Sequence, residues 1–330
     1  MSSFRSVVDI AARACQHVGV RKIGSFTENS KAASEISSCY DNLREAEMRR
    51  NVWRFTIRKA AIRPVDSNTT TILPATFNPA TTYPLGGVAL FEGQIWESTA
   101  SGNVGNTPGP DVAQWELYCG PLSVRLFTLN SGASASDVAY YSGELVRGNG
   151  TNDTTTVYRS LISNNSDIPP TANWLSLGTI SAPINLLYPV GAGPSNNSDT
   201  RNVFLLPGAF LREAPQDPKD GNISYLGAPH GNQSDDWEYG DGFIVSATTS
   251  LIVYRFAASV TTVSRFDPMF CEGLAARIGL ETCEALTQST EKLQMIGAAY
   301  KTFMSDARQV NGIEQGPVQA PIDDYIVCRF

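Results

Sequence analysis

Both ends of the chain carry apolar residues at helical spacing. Between Phe4 and Val18 they recur every three or four positions, and Gly19 then interrupts the pattern, which predicts a short amphipathic helix. A longer amphipathic helix is predicted from near Thr27 to about Arg50. Its buried stripe is expected to consist of Ala33, Ile36, Tyr40 and Leu43.

Helical spacing returns near the C-terminus. Asp267 is a suitable N-cap, Pro268 suits the first helical position, and the polar segment LTQST predicts a break between two helices near Thr287. The apolar stripes are Phe270, Leu274, Ile278 and Leu286 in the first helix, and Leu293, Ile296, Tyr300, Phe303 and Ala307 in the second. Residues 316–330 contain two prolines and no helical stripe, so we expect an extended arm there.

The residues after the second helix alternate between apolar and polar. Trp53, Phe55 and Ile57 occupy every other position, which predicts a half-buried strand. Arg54 and Arg58 lie on its polar face. Two interpretations stay open for them: a solvated sheet face, or a subunit interface, because arginine suits desolvated ion pairs.

Another strand signal lies closer to the C-terminus. In FIVSATTSLIVYRF, residues 243–256, two apolar runs flank the turn-forming letters SATTS. This pattern predicts a β-hairpin.

The middle of the chain has a different composition. From about residue 68 to 178, Thr, Asn, Gly, Ser and Pro dominate, and short apolar pieces are separated by turn residues. This predicts two small all-β modules, module 1 at residues 68–121 and module 2 at residues 122–180. Each contains a similar unit, QIWESTASGNVGNTP from Gln94 and TVYRSLISNNSDIPP from Thr156. In both units an aromatic residue comes third, a serine fifth, an asparagine tenth and a proline fifteenth.

Large aromatic residues in the modules allow two interpretations. They form the modules' own cores, since domains this small need large side chains to bury enough surface. Alternatively, they stack on sugar rings. The residues concerned are Trp96, Trp115, Tyr158 and Trp174.

The order of these elements predicts an α+β fold. A helical core with associated β-strands is interrupted by two small β modules and followed by an extended C-terminal arm. The predicted domains are residues 1–67 together with 181–315, then 68–121, 122–180 and the arm at 316–330.

Charge and candidate chemistry narrow the function. The net charge of −7 gives no general attraction to nucleic acid. The six cysteines show no metal-ligand spacing, so we interpret them as reduced thiols. Only two histidines occur, His17 and His230, and neither a nucleophile elbow nor a phosphate-binding loop is present. We therefore expect no catalytic residue, no metal and no cofactor. The apolar runs are also too short to span a membrane.

Several segments resemble the tail tubular protein A family of short-tailed phages, also called head-to-tail adaptors or gatekeepers. They are NLREAEMRRNVWRFTIRKA after the paired N-terminal helices, FLLPGAFLR, SRFDPMFCEGLAARIGLETCEALTQSTEKLQ and AAYKTFMSDARQVNGIEQ. The resemblance implies a dodecameric ring in the virion between the portal and the tail nozzle protein. It also implies assembly in the host cytoplasm, passage of genome DNA without sequence-specific binding, and an arm that reaches the portal.

The modules resemble tandem carbohydrate-binding modules of the chitin-binding type. Residues 83–120 follow that pattern well, and module 2 follows it more loosely, with an extra loop GNGTNDTT. Members of that type expose aromatic residues shortly after the first aromatic position, where module 1 has Glu97, Ser98, Thr99 and Ala100. The fold is expected from the resemblance, while sugar binding conflicts with this departure.

The leading interpretation is a non-enzymatic ring connector of a phage tail. Its modules would contact neighbouring tail proteins, tail fibres or host glycans. The alternative is a glycan-binding tail adhesin that uses the modules. The candidate portal-docking residues lie in the arm and are Tyr325, Ile326, Val327 and Phe330. In the alternative interpretation, the arm is a strand that closes the protein's own sheet.

Overall fold

The computed structural model contains both helix and sheet, and the fold class is α+β. It describes residue 4 and residues 6–65, 69–72, 74–127, 140–150, 152–179, 202–214, 238–240, 242–246 and 251–315. The chain forms two compact units. The helical unit contains Met1–Phe55 and Ser264–Phe330, and the β unit contains Thr56–Val263.

Four helices make up the described part of the helical unit: α1 (Val7–Val18), α2 (Lys31–Arg50), α3 (Pro268–Thr287) and α4 (Thr290–Gln315). Their predicted ends are confirmed at Gly19, which adopts a left-handed conformation after α1, and at Asp267, which caps α3. The break between α3 and α4 also lies where it was expected. Helix α2 begins later than predicted because Ser30, rather than Thr27, is its N-cap: the Ser30 hydroxyl accepts from the Ala33 amide.

Helix α3 packs against each of the other three helices. At its contact with α1, a Cβ on Gly279 would lie 3.3 Å from the Ala14 carbonyl oxygen and 3.5 Å from Val18 Cγ2. At its contact with α4, Gly273 lies against the buried side chain of Met304. Small residues at both crossings let the helix backbones approach closely, so α3 is the centre of the unit.

Residues 53–58 differ from the predicted strand. Arg54–Thr56 is a short 3-10 helix, and the strand starts only at Ile57. Asn311 of α4 explains the difference: its Oδ1 accepts from the Arg54 amide at 2.8 Å, and its Nδ2 donates to the Val52 carbonyl at 2.9 Å. These backbone groups are therefore satisfied by a side chain and not by a neighbouring strand. Trp53, predicted to be buried, is fully buried.

In the described part of the β unit, the strands form four sheets with the orders β1-β14-β11, β10-β13-β12, β2-β6-β7-β8-β9 and β3-β4-β5. All pairs are antiparallel except β6 with β7. The strands are β1 (Ile57–Ile62), β2 (Thr69–Thr71), β3 (Val88–Phe91), β4 (Gln94–Ser98), β5 (Trp115–Leu117), β6 (Ser123–Leu126), β7 (Leu145–Arg147), β8 (Thr156–Ser160), β9 (Trp174–Thr179), β10 (Asn202–Leu205), β11 (Phe210–Glu213), β12 (Glu238–Gly240), β13 (Phe243–Ser246) and β14 (Ile252–Ala258).

The predicted hairpin at residues 243–256 is wrong. Strand β13 pairs with β10 and β12, whereas β14 pairs with β1 and β11. Strand β13 pairs with the neighbouring β12 and with β10, about 40 residues earlier, while both partners of β14 are distant in the sequence. The apolar side chains of β13 and β14, including Ile244 and Phe256, meet in one cluster with Phe204, so packing between the two sheets decides the pairing.

The contact between α1 and α3 can be tested by a substitution at Gly279. Gly279→Leu places a side chain against the α1 backbone, and we expect a loss of about 1–3 kcal/mol in the free energy of unfolding. Gly312→Leu on α4 is the matched control, because nothing lies within 4 Å of its Cβ position. The control should be neutral or stabilising by up to about 1 kcal/mol. Urea titration followed by circular dichroism measures both values, and equal effects of the two variants would contradict the packing argument.

Candidate functional site

The two modules share one hydrogen-bond framework. In module 1, the buried Asn103 amide donates to Ser98 Oγ at 3.1 Å and to the Gln114 carbonyl at 3.2 Å. In module 2, Asn165 donates to Ser160 Oγ at 3.0 Å and to the Asn173 carbonyl at 3.1 Å. The repeated letters of the sequence are therefore a structural motif, in which a buried serine and asparagine join strand, loop and strand.

Further bonds in the two modules match in pairs. The backbone of Tyr83 forms an isolated antiparallel β-bridge with that of Asn103, and Tyr140 does the same with Asn165. Trp115 Nε1 donates to the Asn106 carbonyl at 2.7 Å, and Trp174 Nε1 donates to the Asp167 carbonyl at 2.9 Å. The residues before the two asparagines, Gly102 and Asn164, both adopt a left-handed conformation, with φ of 69° and 58°. The modules are thus two copies of one local fold.

All four candidate sugar-stacking aromatics are buried. Their exposed fractions are 3% for Trp96, 0% for Trp115, and 6% each for Tyr158 and Trp174. Trp96 and Trp115 lie in the core cluster of module 1, and Tyr158 and Trp174 lie in that of module 2. A sugar ring needs an accessible aromatic face, so these four side chains act as packing residues in this structure.

The modules also share a core, which the sequence did not reveal. One cluster joins Val88 and Tyr118 of module 1 to Leu145, Val157 and Leu177 of module 2. Strand β2, which lies within the predicted bounds of module 1, pairs with β6 of module 2. Each module thus contributes an apolar face to the other.

Charged contacts reinforce this junction. Arg159 of module 2 donates to the Glu97 carboxylate of module 1 at 2.7 Å and also to the Gly86 carbonyl. Arg63, which follows β1, pairs with the buried carboxylate of Glu144, and the second Glu144 oxygen also accepts from the Tyr141 amide at 3.0 Å. Removing Arg63 would leave the buried Glu144 carboxylate without its cation, which costs about 3–5 kcal/mol for a buried pair. The partly exposed pair of Arg159 and Glu97 adds a second link, between the two modules.

Shared packing predicts that the modules unfold together. Trp174→Ala should destabilise module 2 by roughly 3–5 kcal/mol and lower the unfolding midpoint of module 1 as well. Hydrogen–deuterium exchange of module 1 peptides across a urea titration measures this coupling. Trp115→Ala is the reciprocal variant. If module 1 kept its wild-type midpoint in Trp174→Ala, the two modules would be independent.

Exposed apolar residues lie in loops of both modules. Among the described residues of the β unit, the large apolar side chains that stay exposed lie in matching loops: Leu85 and Val104 in module 1, and Tyr141, Leu161, Ile162 and Ile168 in module 2. Ser142 Oγ donates to the Leu161 carbonyl at 3.4 Å, so the loops carrying Tyr141 and Leu161 adjoin. The framework needs none of these side chains. These exposed loop side chains, together called the apolar loop surface below, are therefore candidate contact residues.

The remaining residues predicted to form sites are the two arginines after α2 and the apolar residues of the arm. Arg54 is exposed at the 3-10 helix, while Arg58 lies half-buried in β1 and donates to the Ile57 carbonyl at 2.9 Å. The two therefore do not share the strand face that the alternating pattern predicted. The arm residues Tyr325, Ile326, Val327 and Phe330 lie outside the described residues, as does His230.

The sequence did not predict a polar network that lies inside the helical unit. Glu47 is 3% exposed, and its Oε1 accepts from the Tyr300 hydroxyl at 2.7 Å. Arg50 and Arg277 approach the same oxygen at 3.5 and 3.8 Å. The carboxylate thus links α2, α3 and α4. Glu47 follows the buried Arg44 by three residues and so lies on the apolar stripe of α2, and this spacing could have indicated that it is buried.

The cysteine thiols, the possible metal ligands and the hydropathy of the helices bear on what the described residues can do. Cys15, Cys39, Cys119, Cys271 and Cys283 are free, and burial raises the pKa of Cys271 to about 12, which disfavours a reactive thiolate. Within the described ranges no group of three or more His, Cys, Asp and Glu side chains is arranged to hold a metal ion. In the same ranges, no helix combines the length and the apolar composition of a membrane span.

His17 lies between α1, α3 and α4. Its Nε2 is 3.8 Å from Glu272 Oε2, and its ring centroid is 5.8 Å from that of Phe303. Burial lowers the pKa of His17 below its ordinary value near 6.5, and the charge of Arg13 lowers it further, while Glu272 opposes both effects. The folded protein therefore holds this imidazole neutral at a pH where the unfolded chain protonates it.

This shift predicts an acid-sensitive stability. Below pH 6.5 the unfolded state binds a proton that the folded state does not, so stability falls as the pH is lowered, until the folded imidazole also protonates. His17→Gln should show a flatter dependence of the unfolding free energy between pH 7 and 5. Urea titrations at several pH values compare the slopes, and identical slopes in both proteins would exclude this role for His17.

Comparisons with models of protein families and with curated proteins give no match to this chain.

Proposed function

We propose that the protein is a non-enzymatic structural connector of a phage tail, assembled in the host cytoplasm and built into the virion as a ring between portal and tail nozzle. The observation that carries this proposal is the composition of the helical unit. Adaptor-like segments from both ends of the chain fold together, within the described residues 6–55 and 264–315, into one compact unit, whereas FLLPGAFLR lies in the β unit. Genome DNA would pass through the ring, and the acidic net charge of −7 suits a channel that does not retain it.

The modules would serve as an insertion that contacts other tail parts. Their shared core and the ion pairs at Arg63 and Arg159 support a rigid double module, suited to holding a contact surface at a fixed position. The apolar loop surface is the candidate for that contact, with other tail proteins or tail fibres as its partners. The alternative function, a glycan-binding adhesin, loses support because Trp96 and Tyr158 are buried.

The decisive experiment is an image of the purified full-length protein. A connector should form closed rings, expected to be dodecameric, in negative-stain electron micrographs, and should sediment with portal particles. An adhesin should remain monomeric and bind polysaccharide. Monomers that bind a glycan array, with binding lost in Trp96→Ala, would overturn the proposal in favour of the adhesin.

Portal binding is predicted to depend on the arm. Deleting residues 320–330 removes Tyr325, Ile326, Val327 and Phe330, and should abolish co-sedimentation with portal because an extended apolar segment supplies the docking contacts. The melting temperature of the deletion variant should stay within about 2 °C of wild type, since the proposed arm contacts the partner only.

Cys328→Ser is the control, because it changes the arm without removing these apolar side chains. It should still sediment with portal. A large loss of thermal stability in the deletion variant would instead indicate a strand that closes the protein's own sheet.

A further inference from the structure

The helical unit contains a groove of about 750 Å³ where the end of α3 meets the starts of α2 and α4. Glu281 and Glu284 form one wall, Lys31 of α2 another, and Leu293 of α4 adds apolar surface. The groove is open to solvent and large enough to receive side chains of another macromolecule.

The groove is more acidic than a helix terminus favours. The C-terminal carbonyls of α3 carry a partial negative charge, which basic residues ordinarily balance, yet the last turn of α3 contains none. Lys31 donates to the Ala285 carbonyl, and Glu281 pairs with Arg277 at 2.9 Å. Glu284 is exposed and has no ion pair within the described part of the chain. Lys31 thus supplies the cation that the last turn of α3 lacks, and the carboxylate of Glu284 remains for a further cationic group to neutralise.

The negative field extends onto α2. Burial raises the pKa of the Cys39 thiol, and the charges of Glu281 and Glu35 raise it further. Both carboxylates thus act on the same point between α2 and α3. The negative charge of Glu281 therefore reaches α2, where the nearby charge of Arg277 partly offsets it.

The opposite end of α2 is basic. Arg49 and Arg50 occupy its last turn, Arg54 follows, and all three are exposed. Tyr300 fixes one of them, because its hydroxyl accepts from Arg50 Nη1 at 2.6 Å. The 20 residues of α2 separate this arginine end from the acidic groove by about 30 Å.

We propose that a second copy of this chain fills the groove, with the arginine end of one copy docked into the acidic groove of the next. Guanidinium groups match carboxylates in bidentate pairs, and Leu293 lies where an arginine stem would pack. Because the two surfaces lie at opposite ends of one helix, each copy offers one of each, so the contact is head-to-tail and repeats. Such an interface generates a ring when the rotation closes. The inference rests on the proposed ring function and names its subunit contact.

Reversing the charge on one side of the contact tests it, because every copy of a head-to-tail ring carries the same substitution. Glu284→Arg sets arginine against arginine between identical copies, and Arg49→Glu sets glutamate against glutamate. Each variant alone should associate about tenfold or more weakly than wild type. An equal mixture of the two variants should form rings again, because alternating copies restore an opposite-charge pair at every interface. Mass photometry at physiological salt measures the species formed.

Controls separate folding from association. Glu92→Arg makes the same charge change on an exposed turn of module 1 and should assemble like wild type. Circular dichroism melts check that each variant folds, and Arg54→Glu replaces Arg49→Glu if the latter does not. If wild type is monomeric, the ring function and this contact both fail. If wild type forms rings and the single reversals do so equally well, or their mixture stays dissociated, the contact alone is overturned.

Discussion

The close approach of α1 to α3 at Gly279 is the constraint on which the helical unit depends. A Cβ at this position would lie 3.3 Å from the Ala14 carbonyl oxygen, so a longer side chain would push the two helices apart. With that contact made, Val18, Cys283 and Ile296 close a core between three helices. The same helix then presents Phe270 to the aromatic rings of Trp53 and Phe55, which lie where the chain leaves the unit. A helix contributed by the C-terminal part thus organises the N-terminal part.

The sequence predicted the helices well because their signals are local. Spacing of three and four residues, the Asp267 cap and the Gly19 stop act within one or two turns, and all three were correct. The strand at residues 53–58 failed since Asn311, more than 250 residues away, takes its backbone groups. The hairpin at residues 243–256 failed for the same kind of reason. A local pattern identifies a strand, but its partner depends on distant packing.

The candidate sites show a similar division. The repeat of Ser, Asn and Trp was recognised in the sequence. The structure shows its physical role, which is a buried asparagine amide that joins three segments in each module. Burial of Trp96, Trp115, Tyr158 and Trp174 could be weighed from module size alone. The core shared by the modules could not, because Val88 or Leu177 looks like any strand residue. Buried Glu47 was not predicted, because a charged residue on a helix is usually solvated, although its spacing after Arg44 places it on the apolar stripe.

Strands β1 and β14 carry the chain out of and back into the helical unit, and they pair with each other from Ile57 and Ala257 to Ile62 and Ile252. This has a mechanical consequence. A force applied to the modules while the helical unit is held would run along both strands in the same direction. The load would then be shared by two covalent backbones, and their hydrogen-bonded ladder would not be peeled open. A part that must transmit tension during the working of a larger machine would benefit from such a double tether.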